Sequence, residues 1–271
     1  MLVEYVSTQA FLLRKRPYGD SDLIVVLLTH ELGKRTAIAK GARRSRRRFS
    51  GGALEPFNRL ALRMSERPGR SLALLEECRV IDSHHQVSAD LASFAWASYI
   101  SELTEAMSPE QDPCPELFGL LRSTMEDLAR GAGGETSRAA PVAHRFILGL
   151  LDHSGWRPHL DKCCHCGVPL GQASRPMLDP GGAGLVCSGH EAKRLGLDPS
   201  DPAFKPSRRI VSGALIDYLR RAAAEVPEDA EPELLSAATL LLDRLVDLHL
   251  PRLPRSRRFL TQLAALEHAA E

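Results

Sequence analysis

Residues 32–54 read L-G-K-R-T-A-I-A-K-G-A-R-R-S-R-R-R-F-S-G-G-A-L, an apolar, strand-like segment that leads into a run of positive charge. The stretch has no acidic residue and holds eight cations: Lys34, Arg35, Lys40, Arg43, Arg44, Arg46, Arg47 and Arg48. Such a cluster repels itself unless a polyanion, or water and salt, lies against it. One interpretation is therefore a surface for the phosphate backbone of a nucleic acid, and the other is a solvated, mobile basic loop.

The segments around this stretch predict a small β-barrel in residues 1–81. Five segments are apolar or alternating and rich in Val, Ile and Leu, namely 10–14, 23–29, 36–40, 59–65 and 71–80. Turn signals containing Gly or Pro separate each of them from the next. Five short strands in about 80 residues favour an OB-type barrel, a fold that commonly binds oligonucleotides. The basic run would include its third strand and the loop that leaves it.

Beyond residue 82 the apolar period changes to that of helices. Leucine-rich segments with three- and four-residue steps are 87–107, 115–130, 141–153, 209–224 and 232–250, and a shorter one closes the chain at 255–265. The sequence therefore predicts an α+β protein with a barrel domain at 1–81 and a helical domain at 82–271.

Charge is divided unevenly between these parts. The chain of 271 residues has a formal net charge of +1, but residues 1–80 carry 16 Lys and Arg against 8 Asp and Glu. The first part is therefore at +8 and the remainder at −7, which indicates different binding roles. No apolar run approaches the length of a membrane span and no secretory signal pattern opens the chain, so we expect a cytoplasmic protein without a membrane partner.

Four of the six cysteines fall between residues 163 and 187. Cys163-x2-Cys166 and Cys187-x2-His190 have the spacing of two metal-binding knuckles, which predicts a structural zinc ion held by three cysteines and one histidine. Cys164 and His165 are rival ligands in the first knuckle, and reduced cysteines in a metal-free loop are the alternative. A catalytic zinc is not expected, because four protein ligands leave no open position.

Aromatic residues in the barrel region and basic residues outside it have two interpretations each. Candidates for stacking on bases are Phe11, Tyr18, Phe49 and Phe57, with core or turn packing as the alternative. Basic residues that could extend a DNA path or bind an acidic peptide are Arg208, Arg209, Arg255, Arg257 and Arg258, with helix-terminus charge as the alternative.

Several segments together resemble the bacterial RecO family, recombination mediators of DNA repair. They are AFLLRKRPYGDSD at 10–22, LGKRTAIAKGARR at 32–44, GALEPF at 52–57, CxxCG at 163–167, GGAGLVC at 181–187 and LPRSRRFL at 253–260. These segments span nearly the whole chain in the order of the family.

The resemblance implies an N-terminal OB barrel, a helical domain and a zinc-ribbon-like insert at 160–192. It implies a protein that is not an enzyme, that binds single- and double-stranded DNA and anneals complementary strands. With RecR, such a protein promotes loading of the RecA recombinase onto single strands coated by single-stranded-DNA-binding protein, whose acidic C-terminal tail is a further partner. Association with the nucleoid follows from these partners.

Carried over position by position, the resemblance assigns DNA contacts to Lys34, Arg35, Lys40, Arg43 and Arg44. Arg46, Arg47 and Arg48 extend this set here. Cys163, Cys166 and Cys187 match the metal knuckles, and His190 stands where a fourth cysteine is usual. Two other classes stay open: a zinc-dependent nucleic-acid enzyme, and a zinc-containing RNA-binding or transcription adaptor with an OB barrel.

Overall fold

The computed structural model describes residues 4–66, 72–133, 138–170, 176–179, 181–194, 196 and 210–270. The chain divides into two compact units, and unit 1 combines Met1–Ala139 with Leu253–Glu271. Unit 2 is Ala140–Arg252 and is thus inserted between two segments of unit 1. The predicted boundary between residues 81 and 82 stays a prediction.

Unit 1 begins with five strands that form a closed barrel. They are β1 (Glu4–Tyr18), β2 (Asp22–Thr29), β3 (Gly33–Ala39), β4 (Arg59–Glu66) and β5 (Ala73–Asp82). The strand order is β1-β2-β3-β5-β4, and β4 pairs back onto β1. The β3–β5 pair is parallel and the others are antiparallel. The prediction of mixed α and β structure with an N-terminal five-stranded sheet is confirmed.

Strand β1 is much longer than the predicted segment at 10–14. Its first half pairs with β4 and its second half with β2, and a register shift lies between Leu12 and Arg14. A shift of this kind bends a strand, so one strand can serve two neighbours around a barrel. The predicted segment covers only the apolar middle of β1, because the residues toward its two ends are mostly polar and exposed.

The barrel core is apolar and reaches into the loop after β3. Val25 and Leu27 of β2 and Leu60 and Met64 of β4 are buried, as period-two alternation requires. Phe49 from the loop joins the same cluster. Burial of an aromatic side chain stabilises by about 1.5–3 kcal/mol, so the loop is fastened to the barrel at this point.

Four helices complete unit 1. They are α1 (His85–Ala89), α2 (Leu91–Met107), α3 (Pro115–Gly131) and α8 (Ser256–Ala270). The last helix returns to α2: the backbone N–H and the hydroxyl of Ser256 both donate to Glu102 Oε2, at 2.9 and 2.7 Å. The Arg257 guanidinium donates to the Tyr99 hydroxyl at 3.0 Å. The end of the chain is therefore part of the same unit as the barrel.

In its described residues, unit 2 contains four helices and a short hairpin. They are α4 (Ala139–His153), β6 (Met177–Leu178), β7 (Leu185–Val186), α5 (Ser188–Arg194), α6 (Gly213–Ala224) and α7 (Pro232–Asp247). His144 is fully buried between α6 and α7, with its ring nitrogens 2.7 Å from the Tyr218 hydroxyl and 2.9 Å from the Thr239 hydroxyl. This polar contact fixes how the three helices pack. Helix α6 begins at Gly213, and residue 209, where the predicted helix begins, lies outside the described residues.

Across the described part of the chain, no helix is both long enough and apolar enough to cross a lipid bilayer.

Candidate nucleic-acid interface and metal site

The basic residues after β3 lie in an ordered segment, which we call the basic loop (residues 40–48). The Gly41 N–H donates to Asp22 Oδ1 at 2.8 Å, and the Arg43 N–H donates to the Ser21 carbonyl at 3.0 Å. At its far end the Arg48 carbonyl accepts from the Cys78 N–H at 2.9 Å. Both ends of the loop are thus bonded to the barrel, and this geometry does not favour the interpretation as a mobile loop.

Five cations of the basic loop are exposed: Lys40, Arg43, Arg44, Arg46 and Arg47. None of them forms an ion pair with a carboxylate of the described residues. The Arg43 guanidinium reaches only a backbone carbonyl, that of Asp20, at 3.3 Å. Uncompensated charges held together on an anchored loop create a positive potential at this surface.

Arg48 has a different role within the loop. Its guanidinium donates to the Lys40 carbonyl at 2.6 Å and lies 5.3 Å from the centre of the Phe49 ring. It therefore ties the two ends of the loop together. Its assignment as a DNA contact stays a prediction.

Lys34 and Arg35 lie on β3 and already have partners within unit 1. The Lys34 ammonium donates to the Glu105 carbonyl at 2.7 Å and lies 3.7 Å from Glu110, and Arg35 lies 3.3 Å from Glu66. Their side chains are only 11% and 13% exposed. Both cations are therefore paired with acceptor groups of the protein itself. Their assignment as DNA contacts also stays a prediction.

The candidate stacking residues differ sharply in exposure. Phe11, Phe49 and Phe57 are buried, which agrees with core packing. Tyr18 is 53% exposed at the end of β1. Only Tyr18 of the four can offer a ring face to a base.

Of the candidate basic residues outside the barrel, one has a partner within unit 1 and two are exposed. Arg257 is bonded to Tyr99 and lies 5.7 Å from the centre of its ring, so it serves the attachment of α8. Arg255 and Arg258 are exposed at the start of that helix. Arg208 and Arg209 lie outside the described residues.

In unit 2 the predicted ligand set comes together. The ligand atoms of Cys163, Cys166, Cys187 and His190 all lie within 4.8 Å of one another. Gly167, with a φ of 72°, closes the first turn and donates its N–H to the Cys163 carbonyl at 2.9 Å. The second pair follows β7, with His190 in the first turn of α5.

The distances between these atoms suit a tetrahedral zinc ion. Zinc–sulfur bonds of about 2.3 Å and zinc–nitrogen bonds of about 2.0 Å place tetrahedral ligands about 3.5–3.8 Å apart. The Cys187 Sγ and His190 Nδ1 are 3.3 Å apart, the Cys163 Sγ and His190 Nδ1 3.8 Å, and the Cys166 and Cys187 Sγ atoms 4.0 Å. The four residues could therefore hold one zinc ion.

The protonation chemistry of Cys163 agrees with this role. Desolvation by itself raises the pKa of the thiol, but backbone hydrogen bonds at Cys166, Cys187 and His165 outweigh it and lower the pKa to about 6. A thiolate at neutral pH is the form that binds zinc.

The rival ligands Cys164 and His165 form a separate group with Asp179. The His165 Nε2 lies 3.2 Å from Asp179 Oδ1, and the rings of His165 and His190 stack with centres 5.5 Å apart. Burial, followed by the charge of Asp179, raises the pKa of the Cys164 thiol to about 11. Sequence reasoning missed Asp179, because a single acid in a turn carries no spacing signal.

This chain combines a closed barrel that carries an anchored cationic loop with a helical unit that carries a cysteine–histidine cluster. Such a combination is typical of nucleic-acid-binding proteins. The family model described as "Recombination protein O N terminal" matches residues 1–84, and "Recombination protein O C terminal" matches residues 88–259. This chain therefore belongs to the RecO family, and the resemblance drawn from the sequence is confirmed.

Individual relatives match over nearly the whole chain. The DNA repair protein RecO of Anaeromyxobacter sp. (strain Fw109-5) is 36% identical over 270 residues, which cover 98% of this chain and 99% of the relative. The protein of the same name from Myxococcus xanthus (strain DK1622) is 35% identical over 263 residues, 96% of this chain and 99% of the relative. That of Pelobacter propionicus is 33% identical over 260 residues, 94% of this chain and 96% of the relative.

Proposed function

We propose that this protein is a DNA-binding recombination mediator in DNA repair that performs no catalysis of its own. Its relatives at about 35% identity are called DNA repair protein RecO, which supports the assignment to repair. The single observation that carries the DNA-binding part is the set of five exposed cations on the anchored basic loop, without carboxylate partners among the described residues.

The mechanism is electrostatic. Complementary single strands repel each other through their phosphates, and cations that neutralise phosphates on both strands release counterions and lower that repulsion. Contacts to phosphate carry no sequence information, which suits the annealing of any complementary pair. The loop supplies such contacts in a fixed geometry, because hydrogen bonds at both ends hold it to the barrel.

We further propose that the barrel is of the OB type. Five strands in the order β1-β2-β3-β5-β4, closed by the β1–β4 pair, support this assignment. OB barrels commonly bind oligonucleotides across the loops that connect their strands.

Zinc would have a structural role in this protein. Cys163, Cys166, Cys187 and His190 would hold it, and the ion would join the first knuckle to the start of α5. Its four protein ligands leave no open position for a substrate, which supports a protein without a metal-dependent reaction.

The partners we propose are single- and double-stranded DNA, RecR, and the acidic C-terminal tail of single-stranded-DNA-binding protein, with RecA acting downstream on the same strand. Arg255 and Arg258 are exposed cations that suit an acidic tail. We place the protein in the cytoplasm, in association with the nucleoid.

The test is strand annealing. Complementary oligonucleotides, bare or coated with single-stranded-DNA-binding protein, are mixed with the protein at several salt concentrations, and duplex formation is followed by fluorescence transfer. We expect faster annealing that declines steeply with salt, and RecA filament formation on coated strands that requires RecR. Absence of annealing at low salt would contradict the proposal.

Two control measurements address the other classes. Degradation or modification of the oligonucleotides that a chelator abolishes would indicate an enzyme. A strong preference for a defined RNA over random single-stranded DNA in competition would indicate an RNA-binding adaptor.

A further inference from the structure

Tyr18 is an aromatic residue that the fold leaves open. It ends β1 and is 53% exposed, and among the described residues it has neither a ring contact nor a hydrogen bond through its hydroxyl. Tyr5, at the other end of the same strand, differs because the Arg63 guanidinium lies 5.6 Å from the centre of its ring. Tyr18 is therefore about half exposed, and no aromatic ring or guanidinium of the described residues is recorded against its ring.

The turn that carries Tyr18 is held in place. Tyr18 pairs with Asp22 across the β1–β2 hairpin, and Gly19, with a φ of 59°, permits the tight turn between them. Residues directly opposite each other in an antiparallel pair have their side chains on the same face. Tyr18 and Asp22 therefore project from the same face of the hairpin.

The same turn is bonded to the basic loop. Asp22 Oδ1 accepts from the Gly41 N–H at 2.8 Å, and the Ser21 carbonyl accepts from the Arg43 N–H at 3.0 Å. The Asp20 carbonyl accepts from the Arg43 guanidinium at 3.3 Å. These hydrogen bonds therefore join the β1–β2 turn to the basic loop. Tyr18 stands on the turn, and the exposed cations stand on the loop.

We propose that Tyr18 stacks on a base of a single strand whose phosphates lie on the basic loop. This inference rests on the proposed function, because it requires DNA at that loop. Asp20 and Asp22 belong to the same turn as Tyr18, and their negative charge disfavours phosphate there, so we assign a base to the ring. Every base has an aromatic face, so such a contact is independent of sequence.

The contact selects single strands over duplexes. In a duplex the base faces are already stacked on one another, whereas a single strand can turn one base out onto a protein ring. The basic loop attracts both forms of DNA through phosphate, and Tyr18 adds affinity for the single-stranded form alone.

The test compares Tyr18→Leu with Tyr18→Phe, and uses Tyr5→Leu as the matched control on the same strand. Binding to a fluorescent oligothymidylate and to a duplex of equal length is measured by anisotropy over a range of salt. Loss of one stacked base costs a factor of about 5–150 in affinity. We expect Tyr18→Leu to bind the single strand about tenfold or more weakly, and Tyr18→Phe and Tyr5→Leu to remain within about twofold of the original protein.

Two further readouts separate stacking from other causes. Duplex affinity and the salt slope for the single strand should stay unchanged in Tyr18→Leu, since stacking releases no counterions. Photocrosslinking of the unaltered protein to an oligonucleotide containing 5-iodouracil should label Tyr18, and this readout does not depend on how a variant folds.

Unchanged single-strand binding by Tyr18→Leu, an equal loss on duplex DNA, or labelling only at other residues would each overturn the assignment of Tyr18. If that happens while alanine substitutions in the basic loop still weaken DNA binding, the proposed function stands without the stacking contact. If the unaltered protein binds neither form of DNA, both proposals fall.

Discussion

Removal of the free charge on the basic loop is the perturbation that tests the proposed DNA-binding surface most directly. The variant replaces Lys40, Arg43, Arg44, Arg46 and Arg47 with Ala and keeps Arg48, whose bond to the Lys40 carbonyl at 2.6 Å holds the loop closed. Each phosphate contact on a single strand contributes about 0.7 to the slope of log affinity against log salt. If all five side chains meet phosphates, the slope should become shallower by about 3.5.

This slope difference has a large effect over an accessible range of salt. Between 50 and 200 mM salt, a slope of about 3.5 corresponds to a change of about 100-fold in affinity. The original protein should therefore lose about 100-fold more affinity over this range than the variant does. Fluorescence anisotropy with a labelled single strand at five or more salt concentrations measures both slopes.

A charge-matched control distinguishes the loop from net charge. Arg122, Arg130, Arg157, Arg244 and Arg252 are exposed arginines outside the barrel, and their replacement with Ala changes the net charge equally. This control should keep the slope of the original protein within about one phosphate contact. An unchanged slope in the loop variant, or an equal change in the control, would refute the placement of the DNA surface.

Three further predictions concern the metal, the C-terminal helix and the buried histidine. Elemental analysis should find one zinc ion per chain. The ion should be lost in Cys187→Ala and retained in Cys164→Ala, because Cys164 lies in the separate group with Asp179. Loss of zinc in both variants would argue against the ligand set Cys163, Cys166, Cys187 and His190. Glu102→Ala removes the acceptor of both Ser256 hydrogen bonds and should lower the free energy of unfolding by about 2 kcal/mol. The control Glu126→Ala, which breaks an exposed ion pair, should lower it by less than about 0.5 kcal/mol. Equal effects of the two variants in urea titrations would contradict the docking of α8. Burial lowers the pKa of His144 to about 3, so only the unfolded chain gains this proton as the pH falls below about 6.5. Between pH 6.5 and 3, His144 should therefore reduce the free energy of unfolding by at most about 1.4 kcal/mol for each unit that the pH falls. Urea titrations of His144→Gln should show a weaker decline over the same range. An identical decline in both proteins would exclude a contribution of His144 to the pH dependence of stability.

Local patterns identified the elements that depend on near neighbours in the sequence. The continuous apolar run around Val25 and Leu27, rich in Val, Ile and Leu, predicts β2, and the spacing of Cys163 and Cys166 predicts one metal knuckle. These features follow from the strand preference of β-branched residues and from the geometry of a single turn. The sequence was informative where the physical cause is local.

The sequence did not reveal which side chains are paired or buried by residues far along the chain. Lys34 and Arg35 looked equivalent to the other cations in the sequence. Lys34 meets Glu105 and Glu110, which come from α2 and the segment after it, whereas Arg35 lies 3.3 Å from Glu66 of β4. Phe49 followed a run of arginines and still enters the barrel core, because the loop folds back on β5. Only the packed unit decides which charges stay free and which rings are buried.

The attachment of α8 to α2 imposes an order of assembly on unit 1 during protein synthesis. A ribosome makes the barrel strands first, then all of unit 2, and only afterwards the helix that bonds to Glu102 and Tyr99. Unit 1 therefore cannot assemble fully until unit 2 has been synthesised. A nascent chain carries its basic loop throughout the synthesis of unit 2, before α8 is available to bond to α2.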